Sequence, residues 1–110
     1  MIVRSWHGIV PCEQAKAFEA HLLRTGVAEA EATPGNCGAY IHHQSREPWE
    51  HFFMVSYWRD FEAIRTFAGS QPQIAVCYPE DQKFGLISDP IVLHHEVATI
   101  PAEFPLERIP

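Results

Sequence analysis

The sequence predicts an α+β domain of order β-α-β-β-α-β, with a four-stranded antiparallel sheet and two helices on one of its faces. Three observations predict it. Strand-like segments and apolar stripes at helical spacing succeed one another in that order. The stretch Phe52-Phe53-Met54-Val55-Ser56-Tyr57-Trp58 is too apolar on both faces to leave either in water. A chain of 110 residues, 46% of them apolar, builds one core and no more. If Phe52, Met54 and Trp58 meet the helices, then Phe53, Val55 and Tyr57 need a second cover. The expected cover is another copy of the chain, giving a homodimer closed sheet to sheet into an α+β barrel.

Taken in order, Ile2 to Ile9 reads as the first strand, with Val3, Ser5, His7 and Ile9 on one face and Ile2, Arg4, Trp6 and Gly8 on the other. Pro11 suits the first position of a helix, where its missing N–H is no loss, and Glu13 suits the first turn. Ala15, Phe18 and Leu22, with Ala17 and Ala20, form the inward stripe. Gly26 is the expected stop, and Ala28 to Glu31 can add a turn. Thr33-Pro34-Gly35-Asn36 reads as a turn. Gly38 to Ser45 is the second strand, Arg46 to Glu50 the hairpin loop around Pro48, and His51 to Trp58 the third strand. Asp60 is placed to cap a second helix running through Gly69, with Phe61, Ile64, Phe67 and Ala68 inward. Pro72 to Phe84 is irregular, with a turn at Tyr78-Pro79-Glu80-Asp81. Ile91 to Thr99 is the last strand. Residues 1–99 form the domain. Residues 100–110 form an extended tail, because Pro101, Pro105 and Pro110 exclude a helix, and its apolar side chains are expected to clasp the partner. This order is the ferredoxin-like, or split βαβ, arrangement.

Charge narrows the partners. A formal net charge of −6, with no basic run, argues against nucleic acid and against an anionic membrane surface. No apolar run approaches the ~20 residues that span a bilayer. Met1-Ile2-Val3-Arg4 enters a strand pattern without a charged leader, so the expected location is the cytoplasm. Cys12, Cys37 and Cys77 are odd in number and share no C-x-x-C spacing, which reads as ordinary thiols.

Several segments together resemble one known family. They are Ile2-Val3-Arg4-Ser5-Trp6-His7-Gly8, Arg24-Thr25-Gly26-Val27, Ala32-Thr33-Pro34-Gly35-Asn36, Val55-Ser56-Tyr57-Trp58 leading into Glu62-Ala63-Ile64, Phe67-Ala68-Gly69, Tyr78-Pro79-Glu80-Asp81 and His94-His95-Glu96-Val97. The chain is identified by them as similar to the antibiotic biosynthesis monooxygenase (ABM) domains, which form dimeric α+β barrels. The resemblance implies a pocket between sheet and helices, and it includes oxygenases that need no cofactor and enzymes that degrade haem. Quinone-forming members use asparagines and a tryptophan in that cavity. Trp58 looks like the tryptophan, but the single asparagine, Asn36, lies in a turn. Haem-degrading members use an asparagine on the first strand and a histidine ligand after the second helix. Here Ser5, Trp6 and His7 occupy the strand, and Cys77 and Tyr78 the ligand's place.

The residues suggest their own chemistry beside that resemblance. His42 shares a strand face with Tyr40 and Gln44, and a neutral imidazole beside a phenol suits proton removal from an acidic aromatic substrate. His7 is the second candidate base, expected near His94 or His95 across the first and last strands. Neighbouring residues on a strand point to opposite faces, so His42/His43 and His94/His95 cannot chelate as pairs, and no metal is expected. Trp6, Trp58, Phe67 and Tyr78 are expected to line an aromatic pocket. Arg4 needs a partner on its apolar strand, with Glu96 expected and a substrate anion the alternative. Cys77 has no triad spacing and is not assigned a role.

The resulting reading is a homodimeric, cofactor-free monooxygenase acting on a small aromatic or polyketide-like substrate. His42, His7, Trp58 and Tyr78 are its catalytic candidates, and Trp6, Tyr40, Phe67 and Arg4 its substrate-binding ones. The rivals are a cyclase or isomerase of the same fold, a non-catalytic small-molecule-binding or stress-response dimer, and haem or metal binding.

Overall fold

The central strand, β1 (Ile2–Pro11), alternates strictly in burial, with Ile2, Arg4, Trp6, Gly8 and Val10 turned inward, as a period of two requires. It belongs to the computed structural model of the protein, which describes residues 1–99. The expectations placed on residues 100–110, the extended tail and its clasp, lie outside the described residues. Strand β1 pairs antiparallel along its whole length with β3 (Trp49–Trp58), and β3 pairs with β2 (Asn36–Arg46). On its other edge β1 meets two short strands in turn, β4 (Ile87–Ser88) and β5 (Leu93–Glu96), so the sheet runs β2-β3-β1-β4 with β5 also on β1. The α+β, ferredoxin-like antiparallel arrangement is therefore present.

The last strand, expected over Ile91 to Thr99, is shorter, Leu93–Glu96, and a further two-residue strand, Ile87–Ser88, precedes it across Pro90. Pro90 has no N–H for the ladder. The chain around it leaves the sheet to bond with the segment after the second helical region: Ala75 N–H donates to Pro90 O (2.9 Å) and Val92 N–H to Gln73 O (2.9 Å). That detour brings the carbonyls of Pro72 and Ile74 to Arg4, on the inner face of the sheet.

The first helical region also departs from expectation. Pro11 is still extended (ψ 143°), and a 3₁₀ turn, Cys12–Gln14, intervenes before α1 (Ala15–Leu22). Gly26 does not end the helix. The chain continues through a π-helical turn, Leu23–Val27, directly into α2 (Ala28–Ala32). Thr25 Oγ1 donates back to His21 O (2.9 Å) within this widened turn. Position 26 is crowded because the helix passes closely over the sheet. A Cβ there would stand 3.0 Å from Met54 Sδ, and that side chain would have to give by a few tenths of an ångström.

Gly35 follows α2 with φ +94°, and a Cβ on it would collide with Ala63 Cβ at 2.6 Å, so the turn at Pro34-Gly35 admits only glycine without strain. The hairpin between β2 and β3 is shorter than expected, a two-residue loop of Glu47 and Pro48. Asp60 caps α3 (Phe61–Ala68) as expected, its Oδ1 accepting from Ala63 N–H at 2.9 Å. Ala63 and Ile64 are the buried residues of α3, whereas Phe61, expected inward, is 39% exposed.

One core joins these elements. Phe18 of α1 meets Phe52 of β3 edge-on (5.1 Å between centroids), and Phe67 of α3 tilts onto Trp58 at 5.4 Å. Both helical regions thus cover the face that carries Phe52, Met54 and Trp58. The opposite face of β3, with Phe53, Val55 and Tyr57, is covered by neither helical region, and the described residues leave it partly exposed.

Candidate active site

The tight passage of the π turn over Met54 leaves a cavity beside it, between the inner face of the sheet and the helices. Arg4 and Trp6 of β1, Phe18 and Leu22 of α1, Gly26, Met54 of β3 and Phe67 of α3 form most of its wall. Val76, Tyr78, Asp81 and Leu86 close it from the irregular segment after α3. It holds about 30 Å³ for the centres of water-sized spheres, and about 400 Å³ of atom-free space when its open mouth is counted. The enclosed part suits about two water molecules, and the rest of the space lies at the open mouth.

Most of the wall is apolar, and each polar group on it has an identifiable environment. Trp6 Nε1 donates to Ser88 Oγ (2.8 Å). The Tyr78 hydroxyl donates to Glu29 Oε1 (3.2 Å), and burial first, then the Glu29 charge, push the phenol's pKa well up. Tyr78 is therefore a neutral donor across the working pH range. Arg4 is buried, its Cζ lies 5.5 Å from the Phe67 ring centroid, and its Nη2 donates to the carbonyls of Pro72 (3.2 Å) and Ile74 (3.3 Å). Burial pulls the guanidinium's pKa down to about 10, which leaves it charged near neutral pH.

Asp81 supplies the remaining polar feature. Its Oδ1 lies 2.7 Å from His21 Nε2, and its Oδ2 accepts from Tyr78 N–H at 2.9 Å. The His21 side chain is 3% exposed and its ring packs on Phe84 (4.8 Å) and Phe18 (5.9 Å). A carboxylate on the cavity wall backed by a buried imidazole can accept a proton and share it with the ring. The sequence reading missed both residues. His21 stands three residues after Phe18 on the buried stripe, a polar residue where the helix should be apolar, and that was its available signal. Asp81 was read only as part of a turn.

The predicted residues divide between two faces. Arg4, Trp6, Phe67 and Tyr78 meet on the cavity wall. Trp58 is fully buried behind Phe67, with Nε1 donating to Ser56 Oγ (2.8 Å), and packs the core instead of lining the cavity. His7, Tyr40 and His42 point the other way. His42 is the register partner of Phe53, Tyr40 of Val55 and His7 of Phe53, and partners share a face. The sheet itself separates these three side chains from the cavity, so His42 and His7 cannot serve as its base. His7 is not near His94 or His95 either. Its Nδ1 lies 2.9 Å from Asp89 Oδ2 and its Nε2 lies 2.9 Å from His51 Nδ1, because β4 and the turn after it, and not β5, adjoin that part of β1. The expected Arg4–Glu96 pair gives way to the carbonyls of Pro72 and Ile74, since Glu96 stands opposite Ile2. Among the described residues, no three His, Cys, Asp or Glu side chains are grouped to hold a metal ion.

Comparison with known proteins follows the same lines. Residues 9–76 match the profile of a family described as antibiotic biosynthesis monooxygenase. Among solved structures, the chain is similar to a protein of Deinococcus radiodurans assigned to the antibiotic biosynthesis monooxygenases, at 17% identity and a TM-score of 0.60 over 91% of this chain and 95% of that one. It is similar to a MhuD variant holding two manganese protoporphyrin IX molecules per active site, at 22% identity and a TM-score of 0.58 over 91% and 97% of the two chains. A third is Rv0793 from Mycobacterium tuberculosis, at 15% identity and 0.53 over 93% and 100%. At these identities the likeness is one of fold. No curated protein sequence matches the chain.

Proposed function

The chain belongs to the antibiotic biosynthesis monooxygenase family, and from that premise we propose that it is a cofactor-independent monooxygenase acting on a small aromatic or polyketide-like phenol in the cavity beside Gly26. The observation that carries this reading is an aromatic, largely apolar cavity with one buried proton acceptor, Asp81 backed by His21, on its wall. Such a site supplies what direct oxygenation of a phenol requires: removal of a proton to make an electron-rich ring, and a dry enclosure in which dioxygen meets it. Asp81 takes the phenolic proton, and the Tyr78 ring, held by Glu29 at its hydroxyl and by Asp81 at its amide, orients the substrate. Trp6, Phe18 and Phe67 hold the ring. The substrate is oxidised by one molecule of dioxygen: one oxygen atom joins the ring to give a quinone, and the other leaves as water with the two hydrogens lost from the phenol.

A porphyrin, which the MhuD variant holds, is not proposed for this chain, because the cavity wall carries no histidine or cysteine side chain to ligate iron. The position after α3 where a ligand was expected holds an exposed Cys77 and the inward Tyr78.

We extend the reading to the assembly. The outer face of the sheet presents Phe53 (36% exposed) and Leu93 (60% exposed) in the single chain, and a second copy laid face to face would cover them. No described helix is long and apolar enough to cross a membrane, and the cytoplasm remains the proposed location.

Oxygen dependence tests the function. Candidate phenols are incubated with the purified protein in air and under nitrogen, with oxygen uptake and ¹⁸O incorporation followed by mass spectrometry. One labelled oxygen atom per product is expected. Identical product in both atmospheres would replace the oxygenase with a cyclase or isomerase, and absence of turnover despite binding would make the protein a small-molecule-binding dimer.

A further inference from the structure

Arg4 is a buried cation without a counterion among the described residues. It is 4% exposed and lines the cavity. Its Nη2 bonds go to two main-chain carbonyls, which bear no net charge. None of the ion pairs among the described residues includes it. Its Nε is buried and has no hydrogen-bond partner among those residues. A buried charge that is neither paired nor fully hydrogen-bonded is unfavourable, and apolar residues replace such groups readily when nothing requires them. The other polar groups of the wall are already engaged: Asp81 with His21 and the Tyr78 amide, Tyr78 with Glu29, Trp6 with Ser88. Arg4 is thus the wall group with unmet capacity, and what it lacks is an anion.

Resting on the reading that this cavity is the substrate site, we propose that its ligand is an aromatic acid whose carboxylate pairs with Arg4 while its ring lies among Trp6, Phe18 and Phe67. The carboxylate replaces the missing counterion, and the Nε–H donates to one of its oxygens. A neutral aromatic of the same shape fills the apolar part and leaves the cation unpaired, so it is discriminated against by the site as a whole.

Calorimetric titration under nitrogen, where no turnover can intervene, tests this with 2-naphthoate, 2-naphthamide and 2-naphthol. Wild-type protein is expected to bind 2-naphthoate at least about tenfold more tightly than the amide or the neutral naphthol, the usual scale for a charge-assisted hydrogen bond. Arg4→Met should bring that ratio to about one, and Arg4→Lys should restore part of it. The Arg4→Met melting temperature should be equal to or above that of the wild type, because a methionine fills the site without a buried charge. Equal affinity of the wild type for acid and amide, or a preference for the acid that survives in Arg4→Met, would overturn the proposal while leaving the cavity as the binding site. Preference for naphthol would assign the anion subsite to a phenolate. Failure of all three to bind would remove the cavity reading along with it.

Discussion

The Nε2 atom of His21 lies 2.7 Å from Asp81 Oδ1, and this buried contact joins α1 to a 3₁₀ turn sixty residues later in the chain. It fixes the floor of the cavity, because the same carboxylate also accepts the Tyr78 amide and so sets where the Tyr78 ring stands. Asp81→Asn keeps the shape and removes the acceptor of a full proton. The asparagine amide can still bond a neutral His21 through the other imidazole tautomer. If Asp81 is the base, kcat should fall by about 100-fold or more with little change in substrate KM. His42→Ala, across the sheet, should leave kcat within about twofold, in line with its separation from the cavity wall. The reverse pattern in steady-state kinetics would move the chemistry to the outer face.

Trp58 should prove structural. It is inaccessible to solvent, and its indole N–H is satisfied by Ser56. Trp58→Phe leaves a void and a buried hydroxyl without its donor, and the two effects together should cost about 2–3 kcal/mol in denaturant unfolding. Affinity for cavity ligands should hardly change. A large loss of affinity with unchanged stability would place Trp58 at the ligand after all.

How much of this was legible in the sequence depends on which distance decides each feature. The face assignment of β1, the inward run of Phe52, Met54 and Trp58, and the Asp60 cap all rest on local periodicity, which the sequence displays directly. The convergence of Arg4, Trp6 and Phe67 was also readable, since these three lie on elements whose inward faces the topology brings together, and Tyr78 joins them from the irregular segment after α3. What failed was parity. His42 and His7 were attractive as chemistry, but both sit at register positions beside Phe53, on the face already identified as needing a second cover. Gly26 is not the helix stop its type suggests, because the helical turn runs on through it, and what crowds it is Met54, a residue 28 positions away. His21 and Asp81 were invisible as a pair because only the return of the chain after α3 brings them together.

The outer face offers a direct test of the dimer. Phe53 lies at the middle of β3, flanked by His7 of β1 and His42 of β2 in register. In a face-to-face pair it would lie near the interface centre, where truncation or charge is most damaging. Phe53→Glu should convert a dimer to a monomer in sedimentation velocity at micromolar concentration while retaining the circular dichroism of the sheet. A wild-type chain that is itself monomeric under those conditions would eliminate the barrel.

His94 gives a pH dependence whose sign can be worked out. It stands opposite Arg4 in the β1–β5 ladder, its ring lies 5.3 Å from that of Phe61, and its Nε2 is buried without a partner among the described residues. Burial, and then the charges of Arg4 and His95, hold its pKa below the ordinary imidazole range. The unfolded chain therefore takes up a proton at a higher pH than the folded chain does. Stability rises with pH wherever the unfolded state binds more protons, so His94 costs nothing above the ordinary imidazole pKa and destabilises the fold progressively as the pH drops below it. Glutamine at this position is neutral throughout. His94→Gln should accordingly flatten the decline in melting temperature between about pH 7 and pH 5, with the variant and wild type converging at the upper end apart from a constant offset. Parallel curves across that interval would mean that His94 ionises in the folded chain as freely as in the unfolded one, and that the Arg4 charge does not reach it.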